Sequence, residues 1–70
     1  MEFQEVHTEK LLKATDVAEI LNISRSMSYR MIQTGLIRSV NIGSARRVRP
    51  TDLVDFITSN LTPSTNQEVT

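Results

Sequence analysis

The stretch that most constrains this chain is VAEILNISRSMSYRMI, residues 17 to 32. Two short runs with apolar residues at helical spacing meet across Asn22, Ile23 and Ser24 alone. Helices this short are marginal by themselves in water, so each must bury a face against a neighbour. In the first run Val17, Ala18, Ile20 and Leu21 recur at helical spacing. Thr15 reads as its N-cap, and Asp16 sits where the helix dipole favours negative charge. Asn22 tolerates the left-handed backbone of a helix end. Ser24 reads as the cap of the second helix, which runs to about Thr34 and stops at Gly35.

Two helices joined by so short a turn form a helix-turn-helix. Ala18 supplies the small residue where they approach, and Val17, Leu21, Ile23, Met31 and Ile32 the inner faces. Position 28 belongs to the same inward stripe but is serine. Its hydroxyl is expected to return to the carbonyl of residue 24 within its own helix.

The next segment alternates. Val40 and Ile42 interleave with polar residues, Gly43-Ser44 marks a turn, and Arg46 and Val48 resume the pattern. This reads as a hairpin over residues 38–49. Pro50 stops the strand, Thr51 caps a third helix with Asp52 in its first turn, and Leu53, Phe56, Ile57 and Leu61 form its apolar stripe. The fold class expected is mainly α with a small β-hairpin: a winged helix-turn-helix of three helices, with the wing between helices two and three. Seventy residues suffice for one small domain. It is placed at 11–61, between a flexible N-terminal tail (1–10) and a disordered C-terminal tail (62–70).

The formal net charge is zero, yet the charges are sorted along the chain. Residues 1–19 carry five carboxylates against Lys10 and Lys13, and residues 52–70 carry Asp52, Asp55 and Glu68 without a basic partner. The middle, residues 20–51, holds Arg25, Arg30, Arg38, Arg46, Arg47 and Arg49 and no acid. Arginine pairs with phosphate in two-point fashion, and a one-sign block in a neutral chain implies a charged face.

On the second helix Ser26, Tyr29, Arg30 and Gln33 point away from the inner stripe, with Arg25 and Met27 on the flanks. Such a helix presents its N-terminal residues to base edges in the major groove of double-stranded DNA. Arg25 and Arg30 suit guanine or phosphate, Ser26 allows close approach, Met27 suits a thymine methyl and Tyr29 a phosphate oxygen. A carboxylate here would meet the phosphate backbone and weaken binding. The hairpin places Ser44 in a small turn, with Arg46, Arg47 and Arg49 around it, where a wing follows the backbone or enters the minor groove. The stem of Arg46 has a second use, as cover for apolar surface on the strand face it shares with Val48. The expected contact set is Ser24, Arg25, Ser26, Met27, Tyr29, Arg30, Gln33, Ser44, Arg46, Arg47 and Arg49.

Residues 11–57, LLKATDVAEILNISRSMSYRMIQTGLIRSVNIGSARRVRPTDLVDFI, resemble the small excisionase and AlpA-type DNA-binding domains, relatives of the MerR winged-helix head. The likeness rests on the VAEIL helix, S-R-S opening helix two, Y-R after it, G-L-I, the I-G turn, an arginine-rich second strand and D-L-x-x-F-I. It implies that Arg25, Ser26, Tyr29 and Arg30 face DNA and that Arg47 sits on the wing. Members usually have a small polar residue in place of Met27, an aliphatic one in place of Ser28, an aromatic in place of Arg46 and a proline one position before Pro50. The resemblance further implies an excisionase-like recombination directionality factor of a mobile element, with an integrase or recombinase as partner and weak or DNA-dependent self-association. A small transcriptional regulator of a prophage or integrated element uses the same surface.

Other chemistries fare worse. The chain has no cysteine, and its one histidine, His7, lies in the tail, so no catalytic triad, histidine or thiolate metal site, or cofactor is expected. Glu5, His7 and Glu9 alternate there and read as solvated residues, and Gly35 and Gly43 form no phosphate-binding loop. Met27 and Met31 read as half core and half contact surface. A module docking an acidic protein is the remaining alternative, but the arginines sit where a groove-binding domain needs them. Apolar runs are too short to span a membrane, and the start lacks the signature of a signal peptide. A soluble, cytoplasmic protein is the expectation.

Overall fold

The computed structural model describes residues 10–63, and the two terminal tails named above fall largely outside them, as do Glu5, His7 and Glu9. Three helices and a two-stranded antiparallel hairpin follow in the order α1 (Ala14–Leu21), α2 (Arg25–Gln33), β1 (Val40–Ile42), β2 (Ala45–Arg47) and α3 (Pro50–Ser59). The hairpin lies between α2 and α3, as the sequence pattern requires of a winged helix-turn-helix.

Helix α1 begins earlier than its sequence suggests. Lys13 is the residue at the N-cap, and its backbone N–H donates to Asp16 Oδ2 at 2.8 Å. Asp16 therefore reaches back to the helix start, and Thr15 lies inside the helix instead of capping it. Asn22 ends α1 in the left-handed region at φ 60° and ψ 48°, and the N–H of Ile23 returns to the Ala18 carbonyl at 3.0 Å. Ser24 Oγ accepts the Met27 N–H at 3.1 Å and caps α2. At the far end Thr34 Oγ1 donates to the Arg30 carbonyl at 2.8 Å, and Gly35 takes φ 87°. That reversal lets the Ile37 N–H reach the Met31 carbonyl at 3.1 Å and drives Ile37 into the core.

The hairpin pairs Val40 with Arg47, Asn41 with Arg46 and Ile42 with Ala45. Gly43 and Ser44 form its two-residue turn, with Gly43 at φ 63°. A positive φ at the first central position is what a type II′ turn demands and glycine meets without strain. Beyond β2 the chain makes a contact with no counterpart in the sequence pattern. Leu12 and Val48 exchange reciprocal backbone hydrogen bonds at 2.8 and 2.9 Å, tying the segment before α1 to the base of the wing.

Helix α3 also starts two residues early. Arg49 occupies the N-cap position and Pro50 is the first helical residue, where its missing N–H costs nothing; Thr51 is not the cap.

The core consists of Ala14, Val17, Ile32, Ile37, Val48 and Leu53, with Leu12, Leu21, Met31 and Phe56 packed against it. Ala18 is buried at the helix crossing, as a small residue there must be. Ile20 points to solvent despite its place in the apolar repeat, and so do Ile57 and Leu61 of the third-helix stripe. The helices turn Ile20 and Ile57 past the edge of a core too small to cover them, and Leu61 lies beyond the end of α3. Ser28 is fully buried, and its hydroxyl donates to the Ala14 carbonyl of α1 at 2.8 Å, not to residue 24. It links the two helices across the crossing.

Candidate nucleic-acid interface

The caps and the helix crossing decide which face α2 shows. Ile32 and Ser28 are buried and Met31 is half-buried, so Ser26, Tyr29, Arg30 and Gln33 are carried outward, all exposed. The α2 N-terminus, with Ser24, Arg25 and Ser26, lies open to solvent.

A cleft of about 570 Å³ separates α2 from the hairpin. Tyr29 and Gln33 line one side, and Ser44, Arg46 and Arg47 line the other. The structure thus brings together five residues that lie on two separate sequence segments of the expected contact set. Lys13 and Thr15, at the start of α1, complete the wall and were absent from that set. Their only sequence signal is the charge of Lys13, which stands outside the arginine block and two residues before the expected cap. Its approach to the cleft follows from the Leu12–Val48 bridge, which fixes the segment before α1 against the wing.

The remaining expected residues are placed differently. Arg25 borders a separate shallow hollow with Glu19 and Asn22. Met27 faces an apolar cleft shared with Met31, Phe56, Ile57 and Leu61, away from the wall formed by Tyr29 and Gln33. Arg46 and Arg47 are adjacent on β2, opposite Asn41 and Val40, so their side chains leave the strand in alternate directions although both border the cleft. Arg47 is half-buried and its Nη1 donates to the Arg46 carbonyl at 3.0 Å, whereas Arg46 is exposed. Val48, on the same strand parity as Arg46, is fully buried.

Arg49 has a partner inside the protein. Its Nε donates to Asp52 Oδ2 at 2.7 Å and its Nη2 to Oδ1 at 3.0 Å, a two-point pair. Arg38 Nη1 approaches the same carboxylate at 3.9 Å. The hydrogen bonds from Arg49 hold the Asp52 carboxyl below the usual carboxylate range; burial opposes this, and the charges of Arg49 and Arg38 reinforce it. Arg49, grouped with the wing contacts by its position in the sequence, is thereby anchored to the first turn of α3.

No cluster of side chains able to hold a metal ion occurs among the described residues, and no helix of theirs is long and apolar enough to cross a membrane. The geometry is that of a basic surface built from an outward helix face and a small wing, suited to phosphate and base edges. No curated protein and no solved structure matches the chain significantly. A family model described as a helix-turn-helix domain matches residues 11–61, well over half of the chain. The chain therefore belongs to the helix-turn-helix family of small excisionase and AlpA-type DNA-binding domains, and DNA binding is the activity this family membership implies.

Proposed function

We propose that this protein binds double-stranded DNA sequence-specifically, with α2 in the major groove and the hairpin as a wing on the adjacent backbone, and acts as an excisionase-like directionality factor of a mobile element. The observation that carries the binding mode is the single cleft shared by Tyr29 and Gln33 of α2 and Ser44, Arg46 and Arg47 of the wing. Arg25, Arg30, Arg46 and Arg47 serve as the phosphate and base contacts; the domain of residues 11–61 is the binding unit and performs no catalysis of its own. The excisionase role rests on family membership. It brings with it an integrase as partner, DNA-dependent self-association at adjacent sites, and a cytoplasmic location.

Four phosphate contacts give a slope of log affinity against log salt near about −3.6, at about −0.9 for each. Fluorescence anisotropy with duplex DNA across a salt series tests this, with wild type beside Arg25→Ala/Arg30→Ala. Salt-dependent binding lost in the double variant is expected, and no binding at low salt would overturn the reading. Once a site is selected, DNA bending and stimulation of integrase-mediated excision are expected. Occupancy of a promoter with no effect on excision would assign the protein to transcription control instead.

A further inference from the structure

The sequence block of six arginines is not delivered to the DNA face intact. Asp52 lies in the first turn of α3 with its side chain 5% exposed, while those of Arg49 and Arg38 are 50% and 77% exposed. Arg38 precedes β1 and Arg49 follows β2, so one carboxylate is tied to both ends of the hairpin. A carboxylate and a phosphate offer the arginine fork the same two-oxygen geometry. A buried carboxylate stripped of its partner is strongly disfavoured, which makes the Arg49 pair persistent. The exposed Arg38 contact, at ion-pair distance only, is the weaker of the two.

Resting on the DNA-binding reading above, we infer that Asp52 is a specificity-determining residue: its carboxylate takes the place of a DNA phosphate on Arg49, and in part on Arg38, and so keeps these charges out of the sequence-independent contact with DNA. The physical reason is a ratio. Affinity for any sequence grows with each phosphate neutralised, whereas discrimination comes from the base edges. Arg49, and in part Arg38, paired with the protein's own carboxylate lower the affinity for random DNA and leave α2 untouched. The same contacts anchor the base of the wing, so Asp52 also positions Arg46 and Arg47.

The test measures the salt slope and the ratio of specific to random-duplex affinity for four variants beside wild type. Asp52→Asn removes the carboxylate from Arg49 and from Arg38, so its slope is expected to steepen, by up to about 1.8, with tighter binding to random duplex and a smaller ratio. Arg49→Gln/Asp52→Asn removes both members and leaves no buried charge alone. Only Arg38 then loses its carboxylate, so the slope is expected to exceed wild type by less than about 0.9, which keeps the inference testable if Asp52→Asn does not fold. Arg47→Gln, at a residue on the cleft, is expected to lose about 0.9 of slope, and Arg38→Gln distinctly less. A double variant whose slope falls by the full contact, or a folded Asp52→Asn with an unchanged slope, would overturn the role of Asp52 while leaving DNA binding intact. Wild type that shows no salt-dependent binding would overturn both.

Discussion

Replacing Ser28 by alanine removes one hydroxyl from a fully buried site and with it the 2.8 Å bond to the Ala14 carbonyl. A neutral buried hydrogen bond contributes about 0.5–1.5 kcal/mol net, and the void left by one oxygen is small. The expected loss is about 1 kcal/mol, which in a domain of this size lowers Tm by about 4–8 °C. Ser28→Val discriminates more sharply, because it puts an aliphatic side chain of the kind the inward stripe otherwise carries at this position. The larger side chain loses the same bond and adds bulk to a site with no exposed surface, where overpacking costs about 1–3 kcal/mol more. Thermal circular dichroism is expected to rank wild type as most stable, Ser28→Ala next and Ser28→Val lowest. A valine variant that melts above wild type would show that position 28 behaves as an ordinary apolar site, and would refute the role of the interhelical bond.

Two further outcomes follow from burial and charge. The Asp52 carboxyl titrates below its ordinary value when folded, so the unfolded chain binds its proton first as pH falls. Its contribution is complete above about pH 4, the ordinary aspartate value, and is lost as pH drops through the folded one. Acid melts of wild type should show this loss, and the part due to Asp52 should vanish in Asp52→Asn. Among apolar positions, Ile37→Ala should cost about 2–5 kcal/mol by urea titration, since Ile37 is 1% exposed. Ile20→Ser, at a 54% exposed position, should stay within about 0.5 kcal/mol despite its place in the apolar repeat.

Much of the architecture was legible because it is governed by short-range rules. Asn22, Ser24, Gly35 and Gly43 each announce a backbone conformation that their own chemistry favours, and each adopts it or caps the helix expected. Those four positions set the lengths of α1 and α2 and the hairpin turn. The helix starts were less legible. At Lys13 and Arg49 the residue before the helix has no capping side-chain oxygen, and Asp16 and the ring of Pro50 fill the need from inside.

The candidate interface divides in the same way. That α2 would show Tyr29, Arg30 and Gln33 followed from helical period once the inward stripe was known. That Lys13 and Thr15 would stand opposite them did not, because their approach depends on the pairing of Leu12 with Val48, thirty-six positions apart in the sequence. The sequence by itself determined the order of the elements, the Ser24 cap and the turns at Asn22, Gly35 and Gly43, and the gathering of arginines in the middle of the chain. Tertiary structure alone decided that Ser28 bonds α1, that Ile37 fills the core while Ile20 does not, and that Arg49 is held by Asp52. Turns and helical period act within a few residues and can be read from residue type. A buried hydrogen bond or ion pair requires two distant groups to arrive within about 3 Å, and only the packed fold sets that distance.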